Sequence, residues 1–299
     1  MNKEFLDLAE QLKSSVSCTV RLNELMSGHT SFKIGGPADI LVLPESIEQL
    51  REVLKVVKET VVPLTLLGNG SNVLVRDKGI RGIVIKLGNM LRHFYEAEDL
   101  LVFGSGYSLA LASYKAMECG RTGMEFAVGI PGSIGGAVYM NAGAYDGEMQ
   151  NIVNCVKVMD LQGNERVLTA EELNFGYRKT SLQNSGLIVT EVTLKMPSGN
   201  KDEIKSKMDD FSHRRISKQP LEMPSAGSMF KRPPGYFAGT LIDQAGLKGY
   251  TVGGAQISTK HAGFVVNVGG ATAADVLQLI KDVQTKIKAG VGVELQPEV

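Results

Sequence analysis

Two glycine-rich segments carry the residues best suited to hold a flat or charged ligand. The longer, residues 129–149, reads GIPGSIGGAVYMNAGAYDGEM, and the shorter, residues 67–73, reads LGNGSNV. Glycine lets a backbone lie directly against a ligand or take up positive φ. The shorter segment leaves an apolar strand, where amide N–H groups can converge on a phosphate and Ser71 and Asn72 add donors. Either segment alone is typical of ordinary turns, but together they favour a nucleotide cofactor that contains a diphosphate.

Other nucleotide and metal signatures are missing from the sequence. No Gly-Lys-Ser/Thr follows the shorter segment, which disfavours nucleoside triphosphate hydrolysis, and residues 104–109 lack the third glycine of a dinucleotide fingerprint. The four histidines and three cysteines show no metal-ligand spacing. We therefore expect no bound metal and three reduced, structural thiols.

Length and charge limit the classes of function. A chain of 299 residues predicts two or three domains. Lys plus Arg and Asp plus Glu both number 32, and no dense basic run occurs, so nucleic acid is not an expected partner. Apolar runs stop well short of the roughly 18 residues of a membrane span. The N-terminus is charged and amphipathic rather than a signal peptide, which predicts a cytoplasmic protein without a membrane partner.

Hydrophobic periodicity places the glycine segments on these elements. Residues 2–13 predict a helix, and strands at 38–43, 64–68 and 83–87, with a helix capped by Ser46, predict a small β-α-β unit that ends in the shorter segment. A strand at 100–103, a helix at 108–119 and long strands at 151–160 and 187–196 frame the longer segment. A charged helix from about residue 200, helices at 240–245 and 272–288 and an alternating tail strand from Val291 complete the prediction.

Seven segments, in this order, resemble the UDP-N-acetylenolpyruvoylglucosamine reductase family. They read HTSFKIGGPAD, LGNGSNVLVRDKG, GIPGSIGGAVYMNAGAYDGEM, FGYRKTSL, PSAGSMFKRP, GGAQISTKHAGFVVN and VELQPEV. The resemblance, to the compact second subtype, implies an α+β chain with a two-subdomain FAD-binding fold of the vanillyl-alcohol-oxidase type and a C-terminal α+β substrate-binding domain. The implied boundaries are 1–92, 93–199 and 200–299, with the C-terminal strand rejoining the first subdomain.

The resemblance also implies the cofactors and their contacts. FAD is expected to bind without a covalent bond, since no histidine or cysteine stands in the longer segment, and NADPH is expected to donate the hydride. The implied FAD contacts are Gly68, Asn69, Gly70, Ser71, Asn72, Gly129, Ile130, Pro131, Gly132, Ser133, Gly135, Gly136, Asn141, Ala142 and Gly143.

The family reaction reduces the enolpyruvyl group of UDP-N-acetylglucosamine enolpyruvate to UDP-N-acetylmuramate, in peptidoglycan precursor synthesis. Hydride passes from flavin to C3, and Ser228 matches the residue that gives a proton to C2. Arg178 matches the arginine that binds the substrate carboxylate. The third catalytic residue is a C-terminal glutamate. Strand periodicity leaves both Glu294 and Glu298 open, and the family motif, a glutamate followed by valine, favours Glu298.

Substrate contacts carry over to five further positions: Tyr145, Arg215, Lys218, Lys231 and Gln256. Arg232 stands where some relatives have asparagine. A monomer is expected.

Two other functions are compatible with the sequence. One is a different flavoenzyme on the same scaffold, such as an alcohol or sugar oxidase. The other is a nucleotide-sugar or flavin-binding regulator without turnover, in which Ser228, Arg178 and Glu298 would be incidental.

Overall fold

A computed structural model describes residues 3–88 and 91–299. Within these residues the α-helices are α1 (Lys3–Ser15), α2 (Ile47–Lys58), α3 (Leu109–Glu118), α4 (Ile134–Tyr139), α5 (Lys201–Lys218), α6 (Ala238–Gln244) and α7 (Ala273–Val291). The strands are β1 (Thr19–Leu25), β2 (Pro37–Leu43), β3 (Leu64–Leu67), β4 (Ile80–Lys86), β5 (Phe94–Ala97), β6 (Leu100–Gly104), β7 (Gly143–Ala144), β8 (Gly147–Glu148), β9 (Val153–Met159), β10 (Glu165–Thr169), β11 (Ile188–Lys195), β12 (Ser225–Ser228), β13 (Thr251–Val252), β14 (Ala255–Ile257) and β15 (Phe264–Asn267).

The chain divides into two compact units, each built from separate stretches of sequence. The first unit comprises the described parts of Met1–Leu22, Asp39–Asn69 and Gly82–Arg214. The second unit comprises Asn23–Ala38, Gly70–Arg81 and Arg215–Val299. The chain therefore passes from the first unit to the second between Asn69 and Gly70, inside the shorter glycine segment. The three-domain division that the sequence suggests stays a prediction.

The first unit contains the β-α-β arrangement that was predicted around the shorter glycine segment. The sheet order is β1-β2-β4-β3, and β3 pairs with β4 in parallel, with Leu64 opposite Ile83. The Ser46 hydroxyl accepts a hydrogen bond from Gln49 N at 3.2 Å and so caps α2. Helices α1 and α2 bury Leu12 and Leu50 in the same core as Ile83. Strand β3 thus ends at Leu67, immediately before Gly68 in the glycine loop.

A second sheet of the first unit supports the longer glycine segment. Its strand order is β10-β9-β11-β6-β5, and all of these neighbours are antiparallel. Helices α3 and α4 pack on this sheet through a core that includes Phe103, Leu109, Ile134 and Val192. Helix α4 begins within the longer glycine segment, so the sheet fixes where that segment runs.

The second unit is built on the four-stranded sheet β12-β15-β14-β13. Helices α6 and α7 cover it, with Leu241, Val276 and Leu279 in the core. Helix α7 starts with a capping box between Thr272 and Asp275. Asp77, from the stretch that follows the shorter glycine segment, also accepts hydrogen bonds from Ala273 N at 2.7 Å and Ala274 N at 2.9 Å.

The mixed α+β class is confirmed, but several elements differ from the expectation. Strands β1, β5 and β10 were not predicted, because β5 is short and β10 buries only Leu168. The tail strand expected from Val291 is wrong. Helix α7 continues through Val291, ends at Gly292 with φ of 71°, and the tail makes an isolated bridge at Pro297. The start of the first predicted helix, at Asn2, lies outside the described residues.

The described part of the chain lacks two further kinds of feature, a membrane-spanning helix and a cluster of metal ligands. Among residues 3–88 and 91–299, none of the helices combines the length and the apolar character needed to cross a bilayer. No group of three or more His, Cys, Asp or Glu side chains in the same stretches is arranged to hold a metal ion.

Asp77→Ala is expected to lower the free energy of unfolding by about 1–2 kcal/mol, because two N–H groups at the start of α7 lose their acceptor. Urea denaturation followed by circular dichroism measures the change. Asp99→Ala is the control: Asp99 pairs with Lys195 at 3.4 Å on the surface, with 55% of its side chain exposed. That variant should stay within about 0.5 kcal/mol of the parent. Equal stability of the two variants would contradict the capping role.

Candidate active site

Ser228 lies at a β-bulge in the second unit. Strand β12 pairs with β15 so that Ser225 is opposite Val266 and Ser228 is opposite Phe264, which leaves one extra residue on β12. Gly227 sits in this bulge with φ of 86°, a conformation that a side chain would strain. Ala226 is buried, whereas Ser228 is exposed. The bulge therefore leaves the Ser228 side chain exposed rather than packed in the core.

The tail of the chain lies against the residues that follow Ser228. Glu298 N donates to Met229 O at 2.9 Å, Lys231 N donates to Gln296 O at 2.8 Å, and Phe230 and Pro297 form an antiparallel bridge. Glu298 thus stands opposite the residue next to Ser228. Glu294 is on the surface instead, hydrogen-bonded to Lys288, which lowers the pKa of the Glu294 carboxyl. Of the two glutamates, Glu298 is therefore the one whose backbone pairs beside Ser228.

The second half of the shorter glycine loop contacts the same region of the second unit. The Asn72 side-chain amide donates to Glu298 O at 3.5 Å. Gly70 has φ of 70°, and a Cβ atom there would lie 2.2 Å from His29 O. Only glycine therefore fits at position 70, because the loop rests directly on the backbone of residues 29–30.

The first half of the loop meets the longer glycine segment in the first unit. A Cβ atom on Gly68 would lie 3.2 Å from the Ser133 hydroxyl oxygen. Ser133 caps α4 by accepting a hydrogen bond from Gly136 N at 3.3 Å. Gly129 and Gly132 have φ of 72° and 127°, so both take backbone conformations that favour glycine. A surface of bare backbone forms at the carboxyl end of β3.

Arg178 is held on the backbone of the longer glycine segment. Its guanidinium donates to Asn141 O at 3.3 Å and to Gly143 O at 3.2 Å, and it lies over the Tyr177 ring at 5.1 Å. The carbonyl oxygen of Arg178 accepts a hydrogen bond from the Gln183 side chain at 3.1 Å. The residue itself has φ of 55°, an uncommon conformation outside glycine. These contacts fix the orientation of the positively charged Arg178 guanidinium beside Gly143.

Known proteins show the same sequence organisation. Residues 38–169 match the family model for an FAD binding domain, and residues 219–299 match the model for the C-terminal domain of UDP-N-acetylenolpyruvoylglucosamine reductase. A protein of that name from Clostridium perfringens strain SM101 is 50% identical over 296 residues, which is 99% of this chain and 96% of the relative. One from Clostridioides difficile is 49% identical over 280 residues, 94% of this chain and 92% of the relative.

The chain belongs to the UDP-N-acetylenolpyruvoylglucosamine reductase family. It is an FAD-dependent oxidoreductase. A crystal structure of the reductase from Thermus caldophilus agrees, with a TM-score of 0.80, 39% identity, and coverage of 94% of this chain and 98% of that chain.

The glycines of the longer segment in this reductase differ in how closely other protein atoms pack against them. A Cβ atom on Gly135 would lie 2.7 Å from Ser105 Cβ, and one on Gly143 would lie 2.6 Å from Gly147 O. These two glycines permit close packing. Gly136 is exposed, and a Cβ atom there would approach only the Ser133 hydroxyl, at 3.3 Å. Gly129 and Gly136 are exposed, so their backbone is open to a flat cofactor such as FAD.

The remaining predicted substrate residues lie in both units of the reductase. Tyr145 stacks on Phe211 of α5 in the first unit, with ring centroids 4.4 Å apart. In the second unit, the backbone of Lys231 is paired with the tail. Gln256 lies on β14 and donates to the Thr251 hydroxyl at 2.9 Å. Arg215 is buried and donates to the Gln219 side chain at 3.2 Å, whereas Lys218 is exposed at the end of α5.

The structural role of the Asn141 side chain was not predicted from the sequence. Its side chain is fully buried and donates to Gly176 O at 3.0 Å and to Glu148 at 3.1 Å, while its oxygen accepts from Gln150 N at 3.0 Å. The Asn141 amide therefore holds the glycine segment together. Asn141 has φ of 43°, a conformation that asparagine tolerates better than most residues. The asparagine itself is therefore the sequence signal for a turn at this position.

Replacing Gly135 and Gly136 by alanine is expected to give opposite results. Gly135→Ala should destabilise the FAD-free protein, because the new methyl group would collide with Ser105. Gly136→Ala should leave its stability equal or raise it by up to about 1 kcal/mol, as alanine does in a helix, but should weaken FAD binding at least tenfold. Thermal unfolding of FAD-free protein and titration with FAD measure the two effects. Unchanged FAD affinity in Gly136→Ala would remove Gly136 from the cofactor surface.

Proposed function

We propose that this chain reduces the enolpyruvyl group of UDP-N-acetylglucosamine enolpyruvate to UDP-N-acetylmuramate with NADPH, in peptidoglycan precursor synthesis. Family membership supports the reaction. The observation that carries the assignment is the exposed Ser228 at a bulge, with Glu298 backbone-paired beside it in the same unit. A proton donor next to a carboxyl group is what reduction of an enolpyruvyl group requires once hydride has reached its C3 carbon.

FAD supplies the hydride transfer from NADPH to C3 of the substrate. We propose that the loop from Gly68 to Asn72 binds its diphosphate and that residues 129–143 lie along its flavin. In this proposal the ligand-facing groups of the longer segment are the open backbone at Gly129, Gly132 and Gly136. The Asn141 side chain has its hydrogen bonds within the protein, so it shapes the loop instead.

Ser228 gives its hydroxyl proton to C2 of the substrate. After hydride reaches C3, C2 carries the electron pair of the former double bond, in conjugation with the carboxylate. A neutral serine is a weak acid, but the carbon of an enediolate is a strong base, so proximity and a proton path are sufficient. The C–H bond forms as the O–H bond breaks, and a solvent proton then restores the hydroxyl. Glu298 assists this proton delivery.

Arg178 binds the substrate carboxylate and stabilises the charge that develops on it. A guanidinium can bind both carboxylate oxygens at once. Its hold on the carbonyls of Asn141 and Gly143 places its charge beside the longer glycine segment before substrate arrives. A charge that is oriented in advance needs little reorganisation during the reaction, which is the main source of electrostatic catalysis.

The finer parts of the proposal follow from the same reaction. Tyr145, Arg215, Lys218, Lys231 and Gln256 are the proposed contacts to the UDP-sugar. The boundaries 1–92, 93–199 and 200–299 are the proposed division into two FAD-binding subdomains and a substrate domain. We propose a monomer, since one copy of the chain contains every assigned residue. A cytoplasmic location suits an enzyme that uses NADPH and a nucleotide sugar.

Ser228→Ala should separate the two halves of the reaction. In anaerobic stopped-flow experiments, bleaching of the flavin band by NADPH is expected to proceed at the parent rate. Return of the band on adding the enolpyruvyl substrate should slow by at least about a thousandfold, because proton transfer to C2 loses its donor. Ser228→Ala with normal return of the flavin band would remove this serine from the mechanism. A parent protein whose band never returns with this substrate would refute the reaction itself.

Glu298→Gln and Glu294→Gln form a matched pair of variants. Each removes one negative charge from the tail and keeps the side-chain size. Glu298→Gln is expected to slow the substrate-driven return of the flavin band by at least about tenfold, whereas Glu294→Gln should change it less than twofold because Glu294 pairs with Lys288 on the surface. The reverse order of effects would transfer the catalytic assignment to Glu294.

A further inference from the structure

Ser31 links the cofactor loop to the strand that bears Ser228. It lies in the second unit, in the segment HTSFKIGGPAD, which contains none of the proposed catalytic, cofactor or substrate residues. Its backbone N–H donates to Gly70 O at 3.0 Å. Its hydroxyl donates to Ser225 O at 2.7 Å, and the next acceptors, Gly70 O and Ser71 O, are 3.4 Å away. One residue thus contacts the loop with its backbone and strand β12 with its side chain.

The segment around Ser31 is rigid on both sides. Thr30 is buried, and its hydroxyl donates to Ile34 O at 3.0 Å. Phe32 is fully buried in the core of the second unit, and its carbonyl accepts a hydrogen bond from the Asn267 side chain at 3.3 Å. Asn267 belongs to β15, which pairs with β12. Because Thr30 and Phe32 are held in this way, we expect a displacement of Gly70 to be passed on through Ser31.

Strand β12 offers a short route from Ser225 to Ser228. The two residues are at the ends of one four-residue strand, and both are paired with β15. Gly227 in between has no neighbouring atom within 4 Å of where a Cβ would stand, so the bulge has room to move. Ser225 is three residues from Ser228 on this strand, so we expect a shift of the Ser225 carbonyl to change the direction of the Ser228 hydroxyl.

We propose that Ser31 is a positioning residue that couples the order of the cofactor loop to the placement of Ser228. When the diphosphate orders Gly70 and Ser71, Ser31 fixes the Ser225 carbonyl and, through β12, the proton donor. Asn72 makes a second connection, from the same loop to Glu298 O at 3.5 Å. The proton donor and its carboxyl partner are then set only after the cofactor site has formed. This inference rests on the proposed role of Ser228 in the reaction.

Hydrogen exchange measured by mass spectrometry tests the coupling without turnover. In the parent protein, adding FAD should protect the amides of residues 68–72 and also those of residues 225–229. In Ser31→Ala, FAD should still protect residues 68–72, because the backbone bond to Gly70 remains, but the added protection at 225–229 should fall by about tenfold in exchange rate. Ser31→Thr keeps a hydroxyl and should restore the FAD-dependent protection of residues 225–229. The matched control is Thr285→Val, which removes a hydroxyl bond to Lys281 O at 2.8 Å elsewhere in the unit.

Half-reaction kinetics supply the second readout. In Ser31→Ala, NADPH should bleach the flavin at the parent rate, while the substrate-driven return should slow by about tenfold with a larger solvent deuterium isotope effect. Equal protection at residues 225–229 with and without the hydroxyl would overturn the inference. A second pair of results would also overturn the inference: rapid amide exchange at residues 225–229 in FAD-free Ser31→Ala, and equal slowing of flavin reduction and flavin reoxidation. Together they would indicate that Ser31 has a purely structural role. Failure of the parent protein to use the substrate would refute the reaction, whereas the exchange experiment would still report on the coupling.

Discussion

The candidate proton-donating site depends on pairing between two short extended segments that are far apart in sequence. Residues 229–231 and 296–298 exchange backbone hydrogen bonds, and without them Glu298 would have no fixed relation to Ser228. The tail is attached to α7 as well, because the Gln284 side chain donates to Leu295 O at 2.9 Å and Leu295 is buried. Helix α7 is in turn capped by Asp77. The register of this small pairing is therefore set by the core of the second unit.

Glycine serves three different physical purposes in the two glycine-rich segments and in strand β12. At Gly70 and Gly227 it permits positive φ in a loop and in a bulge. At Gly135 and Gly143 it permits close packing of protein on protein. At Gly129 and Gly136 it leaves exposed backbone. Sequence alone cannot separate these cases, since the difference lies in what surrounds the absent side chain.

Elements with strong local signals were predictable, and contacts between distant residues were not. The cap at Ser46 and the capping box of α7 depend on residues three positions apart, and their helices were predicted. Strand β10 buries a single leucine at a sheet edge, so hydrophobic alternation could not reveal it. The tail was taken for a strand because Val291, Val293 and Leu295 alternate, yet Val291 closes α7 and only Leu295 is buried. Family motifs singled out Ser228 and Arg178 as candidates, whereas the contacts of Ser31 with the loop and with β12 are visible only in the structure.

Backbone strain in the first unit occurs at Tyr145 and Arg178, which are proposed to contact the substrate, and at residues near them. Asn141, Tyr145, Asp146 and Arg178 all have positive φ, which costs on the order of 1 kcal/mol for each residue outside glycine. The buried amide of Asn141 and the Tyr145–Phe211 stack offset part of this cost and leave few alternative conformations. A loop held in this way presents its carbonyls to Arg178 in one direction only. Strain at these positions is thus consistent with a site whose charge must be oriented before the substrate binds.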